Sequence, residues 1–259
     1  MAIGNQYVRF PTLTGTGLRL VWALLRKRHI AFQPEARRAI ARLQPKLIVD
    51  YPERIPQSGP CILAMNHYSQ SAFRAWWIGI SISAVLPVEV RWVMTAAWTA
   101  PNGWMAWWTP VTHWIFTKIA DCYGFFSMPP MPPNPKDVEV RAKSVRQILS
   151  FTKAELKNSG GNGLVLGLAP EGGDQPGGQL SLPPSGSGRF IWLISHLGVP
   201  IVPIGVFIDE RGLCLSFGES YLPTVGPVIG RDQLDLSVRN ELMEHIAAQL
   251  PQELRGAWG

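Results

Sequence analysis

Five apolar positions in a row, Cys61-Ile62-Leu63-Ala64-Met65, end abruptly at two polar ones, Asn66 and His67. An unbroken run of this length, with no alternation, predicts a strand buried on both faces. Gly163 to Ala169 and Ile201 to Ile208 have the same character, and Arg91 to Ala97 and Leu213 to Phe217 read as further strands. Between them the apolar spacing turns helical: Ala72 to Ser83, with Ser69 or Ser71 as its cap, then Val138 to Leu156, Phe190 to Leu197, and a closing helix from Ser237 to Leu250 that stops at Pro251. Ahead of these lie Leu18 to Ala31 and, opened by Pro34, Glu35 to Leu43. Strands alternating with helices predict an α/β fold, a mostly parallel central sheet flanked by helices. The expected division is a helical arm over residues 1–45 and an α/β domain over residues 46–259.

Three stretches break the pattern. Residues 128–137, Met-Pro-Pro-Met-Pro-Pro-Asn-Pro-Lys-Asp, form a proline-rich loop. Gly172 to Gly188 is rich in glycine, proline and serine, and is long enough to predict a lid or binding loop. Between Arg91 and Lys118 lie 26 residues without Lys, Arg, Asp or Glu, holding six of the eleven tryptophans. A membrane-spanning helix needs about 20 apolar residues in sequence, but Pro101-Asn102-Gly103 and Pro110 interrupt this one. Indole rings collect at the lipid headgroup level. Residues 98–117 therefore read as surface helices lying on or dipping into a bilayer, with an aromatic core wall as the other reading.

Charge sharpens the division. The chain of 259 residues carries a net +6, yet residues 1–49 hold nine Lys and Arg against one acid, Glu35. The remaining 210 residues hold fifteen basic side chains against seventeen acidic ones. The positive excess thus lies in the arm, where apolar residues, Trp22 and flanking arginines suit an interfacial helix or a solvated hairpin packed on the domain. No nucleic-acid-binding module accompanies it, so the expected partners are membrane lipids, met by the arm and the tryptophan-rich stretch 92–117. Only 16% of residues are charged, against roughly 25% in a typical soluble domain. Three widely spaced cysteines, Cys61, Cys122 and Cys214, exclude a disulfide framework or zinc site and fit a reducing compartment. The start of the chain has no secretory pattern. These features predict the cytoplasmic face of a membrane, with peripheral or monotopic attachment. They suggest neither a metal nor a cofactor.

His67 is the candidate catalytic group, because open α/β sheets bind ligands at the carboxyl ends of their strands. A second strand end, Gly167-Leu168-Ala169-Pro170-Glu171-Gly172-Gly173, supplies a carboxylate and two glycines. A third motif is Val199-Pro200-Ile201-Val202-Pro203-Ile204. Together with Asn66-His67-x-Ser69 and the tail Leu250-Pro251-x-Glu253-Leu254-Arg255-Gly256, these resemble the glycerolipid (lysophosphatidate) acyltransferases over residues 45–255. The resemblance implies transfer of a fatty acyl group from a thioester of coenzyme A or acyl carrier protein to a lipid hydroxyl, in phospholipid biosynthesis. It implies His67 as general base, Glu171 in acceptor hydroxyl binding and site organisation, and Asn66, Ser69, Gly172 and Gly173 around the substrate. Neutral imidazole suits that task, and backbone N–H groups near Ala72 or Gly172 and Gly173 suit an oxyanion.

The chain also departs from the family. An aspartate expected five residues after the histidine is Ala72, and expected basic residues are replaced after Gly124-Phe125-Phe126, at Gly173-Asp174 and at Ser187. Arg74 and Arg189 are the candidate replacements for the lost phosphate contacts. Loss of an orienting carboxylate costs about four orders of magnitude in a serine-protease triad. Asp121 or Asp174 is therefore a candidate substitute. The other reading is an acyltransferase fold kept as a lipid-binding or regulatory module.

Overall fold

The computed structural model describes residues 8–26, 28–68, 73–96, 109–129, 137–173, 176–224 and 230–259, with helix and strand side chains at 109 and 176 left aside. A seven-stranded sheet runs in the order β1-β7-β6-β2-β5-β3-β4. The strands are β1 (Ile48–Asp50), β2 (Cys61–Met65), β3 (Arg91–Thr95), β4 (Phe126–Met128), β5 (Val165–Leu168), β6 (Ile201–Asp209) and β7 (Gly212–Phe217). Pairing is parallel throughout except for the β6–β7 hairpin. The α/β class is as expected. β1 and β4 were not anticipated, because three residues carry too little periodicity to stand out.

β2 lies at the centre, Ile62 pairing with Leu166 of β5 on one side and Ile201 of β6 on the other. All five of its residues are buried. β5 and β6 are consecutive strands on opposite sides of β2, so the chain crosses over the carboxyl end of β2. This is a switch point, where an open sheet leaves a crevice.

Seven helices are described: α1 (Thr14–Leu25), α2 (Phe32–Ile40), α3 (Trp76–Val85), α4 (Thr109–Tyr123), α5 (Val138–Ser159), α6 (Ser187–Ser195) and α7 (Arg231–Ala247). α3 starts four residues later than the expected Ala72. Phe73 is instead buried against Phe10 and Tyr68, and Ala75 takes the cap position with no side-chain bond. Residues 69–72 themselves lie outside the described residues.

The arm is less separate than its charge suggests. Val8, Ala36, Ala39 and Leu43 join the same buried cluster as β2, β5 and β6. The lone acid of the arm, Glu35, is buried and latches α1 to α2. It accepts from Arg19 Nε at 2.7 Å and Nη2 at 2.6 Å, from Thr16 Oγ1 at 3.1 Å, and from Arg38. Burial opposes its charge, but these donors hold its pKa below the usual carboxylate value. α1 packs on α4 at its other flank.

Of the tryptophan-rich stretch, residues 97–108 lie outside the described residues. Trp92 proves to be core wall, 8% exposed, its Nε1 donating to Ser83 Oγ at 3.0 Å. Gly167 of β5 lies under that ring, where a Cβ would come within 2.6 Å of it, so only glycine fits. Trp114 on α4 is 61% exposed. Along the charge-free stretch Trp92 thus faces the core and Trp114 faces outward. Among the described residues no helix is long and apolar enough to cross a membrane, and no cluster of His, Cys, Asp and Glu could hold a metal ion.

Candidate active site

Asn66 ends β2 by using its side chain as backbone. Its Nδ2 donates to Val206 O at 2.9 Å, and Val206 N–H donates to its Oδ1 at 2.7 Å. The buried carboxamide thereby extends the β2–β6 ladder by one step while the main chain leaves the sheet. A buried amide left unpaired there would cost about 1–3 kcal/mol, which is why an apolar residue cannot substitute. Asn66 was expected at the substrate. Its amide is spent on this clamp, and its effect on the site is to set where His67 departs.

His67 is therefore the first residue beyond the clamp, half-buried at the centre of the carboxyl edge of the sheet. Its backbone N–H donates to Glu171 Oε2 at 2.6 Å. Glu171 follows the neighbouring strand β5 and is itself buried. Its other oxygen, Oε1, accepts from Ser181 N–H at 2.7 Å and Ser181 Oγ at 3.3 Å. Burial raises the Glu171 pKa above the usual carboxylate value, and the donated N–H bonds only partly offset this. Of the two duties expected of Glu171, acceptor binding and site organisation, these contacts describe the second. One carboxylate bolts the turn after β2 to the segment after β5.

That bolt changes the picture of Gly172 to Gly188. Residues 174–175 lie outside the described residues, but the rest is strapped down rather than poised as a lid. Leu180 is buried and its N–H donates to Leu254 O at 2.9 Å. Arg239 Nη1 donates to Pro183 O at 2.7 Å. Buried Asp235 of α7 accepts from Gly186 N–H at 3.0 Å and Arg189 N–H at 2.9 Å, capping α6 from outside its own sequence. This external cap lets α6 begin at Ser187, three residues before the expected Phe190. Gly188 permits it, since a Cβ there would stand 2.2 Å from Asp235 O. Ser181 and Asp235 carried no local signal in the sequence. Their roles arise only where distant segments meet.

Gly172 has φ +73° and its N–H is spent on Ala169 O at 3.2 Å, closing the turn into the site. The N–H of Gly173 has no acceptor among the described residues, and a side chain there would meet open space. Arg74, exposed, precedes α3, and Arg189 stands in the first turn of α6. Both helices start at the carboxyl edge of the sheet, where His67 lies. Among the described residues neither guanidinium makes an ion pair or hydrogen bond, and that of Arg189 reaches back toward Gly186. Ser69, Ala72 and Asp174 lie outside the described residues. Asp121 is excluded as a partner for His67. It ends α4 just before β4 begins, at the amino edge of parallel strands whose carboxyl edge carries His67, and it pairs loosely with Lys118 at 4.0 Å.

The family model described as Acyltransferase matches residues 46–207, more than half of the chain. Among curated proteins none matches. Among solved structures, the 1-acyl-sn-glycerophosphate (LPA) acyltransferase PlsC of Thermotoga maritima superposes with a TM-score of 0.52 at 15% identity. That match covers 94% of this chain and 84% of the other. At that identity the likeness speaks for the fold.

Proposed function

The chain belongs to the acyltransferase family, and on that footing we propose that it is a membrane-docked O-acyltransferase. It moves a fatty acyl group from a thioester, on coenzyme A or acyl carrier protein, to a hydroxyl of a glycerolipid or related acceptor. The observation that carries the reading is the 2.6 Å bond from His67 N–H to buried Glu171, which joins the ends of two neighbouring strands at the switch point.

In this mechanism His67 takes the proton of the acceptor hydroxyl as its oxygen attacks the thioester carbonyl carbon. The carbonyl oxygen becomes an oxyanion, for which the Gly173 N–H is an available donor. Collapse re-forms the carbonyl and expels the thiolate, which recovers the proton from His67. A C–O bond replaces the C–S bond and the proton ends on the thiol, so no further co-reactant is required. Arg74 and Arg189 supply positive charge at the same edge, for a phosphate or other anionic group on either substrate.

Docking to a bilayer is supported by an inverted helix. In α1, Ala23 is buried and Thr16 and Arg19 reach Glu35 of α2, whereas Leu18, Val21, Trp22 and Leu25 are exposed, Leu25 by 76%. On α4 the exposed stripe is Val111, Trp114 and Ile115. Two adjacent helices turning apolar faces outward suit an interface rather than water.

A second reading, a lipid-binding module without turnover, rests on alanine at position 72. Measuring acyl transfer by the wild type and His67→Ala, with acyl-CoA and acyl carrier protein thioesters against a panel of lysolipids, diols and glycolipids, separates the two. Turnover that His67→Ala abolishes supports the enzyme. Turnover indifferent to His67→Ala refutes the mechanism, and background rates in both favour the module.

A further inference from the structure

α1 and α4 meet at their carboxyl ends. Ile30 N–H donates to Cys122 O at 3.0 Å, and the Cys122 thiol points at Arg28 O at 3.6 Å. Above these contacts lies a cleft of about 180 Å³ lined by Arg28, His29, Lys118, Asp121 and Cys122, together with Ala23 and Leu24. Arg28 makes no side-chain ion pair among the described residues, and Lys118 reaches Asp121 only at 4.0 Å. Two fixed positive charges, Arg28 and Lys118, thus face one negative charge, Asp121. The exposed apolar stripe of α4 is continuous with this cleft, since Val111, Trp114, Ile115 and Lys118 share one face at helical spacing. A helix rises 1.5 Å per residue, so Lys118 stands about 6 Å beyond Trp114 and Asp121 about 10 Å. With that face resting on a bilayer, the indole settles at the headgroup level and the cleft opens beside it along the same helix, within reach of the lipid phosphates.

We propose that this cleft is a docking site for one anionic phospholipid headgroup of the bilayer, separate from the acceptor site at His67. Arg28 and Lys118 hold the phosphodiester, and Asp121 accepts a hydrogen bond from a hydroxyl on the far side of the phosphate. The carboxylate would repel a bare phosphate monoester, so a phosphatidylglycerol-type headgroup fits better than phosphatidate. The site lies at the amino edge of β4, whereas His67 lies at the opposite, carboxyl edge of β2. The bound lipid is therefore an anchor that sets how the protein sits, rather than a substrate. This rests on the bilayer docking proposed above.

The test uses the full chain in vesicle flotation and isothermal titration. The vesicles are phosphatidylcholine alone, or phosphatidylcholine with a minor fraction of phosphatidylglycerol or of phosphatidate. The soluble probes are dihexanoyl phosphatidylglycerol below its micelle concentration and inorganic phosphate. Two charge-assisted contacts are at stake, so Arg28→Gln/Lys118→Gln should weaken binding to phosphatidylglycerol vesicles by about tenfold or more, leaving binding to phosphatidylcholine unchanged. Arg42→Gln/Lys46→Gln removes the same charge outside the cleft, at the junction of the arm and the domain, and should lose far less. Asp121→Asn should narrow the preference for phosphatidylglycerol over phosphatidate. Circular dichroism checks the fold, and Arg28→Gln alone, at an exposed position, gives the same direction if the double variant fails to fold. Equal losses in both double variants would overturn the cleft while leaving bilayer docking intact. Cleft-dependent binding of the soluble lipid without flotation would overturn docking and leave the cleft. Inorganic phosphate competing as well as the soluble lipid would make it a free-anion site and overturn the headgroup.

Discussion

Glu171 is the side chain whose replacement separates positioning from acceptor binding. Its two oxygens accept backbone N–H bonds from His67 at 2.6 Å and Ser181 at 2.7 Å, inside the fold. Glu171→Ala orphans both donors, at about 1–3 kcal/mol each, less the relief of no longer burying a charge that the site already disfavours. A net loss of about 2–4 kcal/mol follows, roughly 4–16 °C in Tm for a domain of this size. Glu171→Gln is the sharper probe. It is isosteric with the protonated acid, keeps one acceptor, and turns an N–H donor toward another N–H. Losing one bond while removing the buried charge should leave Tm within a few degrees. The turn carrying His67 nevertheless loosens, and a misplacement near 1 Å costs on the order of 100-fold in rate. The expected result is a fall in kcat of about tenfold to 100-fold with acceptor KM little changed. The pH dependence has two opposite signs. Burial raises the Glu171 pKa, so its contribution to stability is fullest with the acid protonated and is lost as pH rises through the raised value. Turnover needs the ionised clamp and rises over that same window, above the ordinary glutamate range. Glu171→Gln should flatten that acidic limb. A Gln variant with normal kcat and an acceptor KM raised tenfold would refute the clamp and restore Glu171 to acceptor binding.

Other outcomes follow from the same contacts. Glu35→Gln should free α1 from α2, costing about 1–2 kcal/mol because Arg19 and Arg38 are half in solvent, and limited proteolysis should then cut the arm first. Since its donors hold the Glu35 pKa low, that latch is complete above the usual glutamate range and should fail as pH drops through the lowered value, as amide exchange in α1 would report. Asp235→Asn should cost about 1–3 kcal/mol by weakening the external cap of α6, and unchanged thermal denaturation would show that the cap contributes nothing. With family basic positions filled by Ser187 and Gly173-Asp174, lysophosphatidate should show little advantage in KM over neutral or glycosylated acceptors. Removal of Arg74 and Arg189 by glutamine should abolish what advantage there is.

The alternation of buried strands and helices was legible in the chain itself, because a strand covered on both faces must read as an unbroken apolar run. β2, β5 and β6 announce themselves that way, and so does the placing of His67 and Glu171 at strand ends. The concentration of positive charge in the arm is likewise a property of the sequence alone. What the sequence could not supply was partnership across distance. Nothing near Asn66 indicates that its amide completes a ladder with Val206, 140 residues away, and nothing near Glu171 indicates that both its oxygens hold backbone. The loop that read as a lid is fastened by Leu254, Asp235 and Arg239, from the last helical segments of the chain. Apolar spacing also cannot tell a tryptophan facing the core from one facing outward, and the packing of β3 and α4 sent Trp92 one way and Trp114 the other. A hydrophobic pattern reports how much surface an element must hide. Which polar group satisfies which backbone is decided only when the sheet order brings strand ends together, since each such bond joins atoms that share no neighbourhood in the chain.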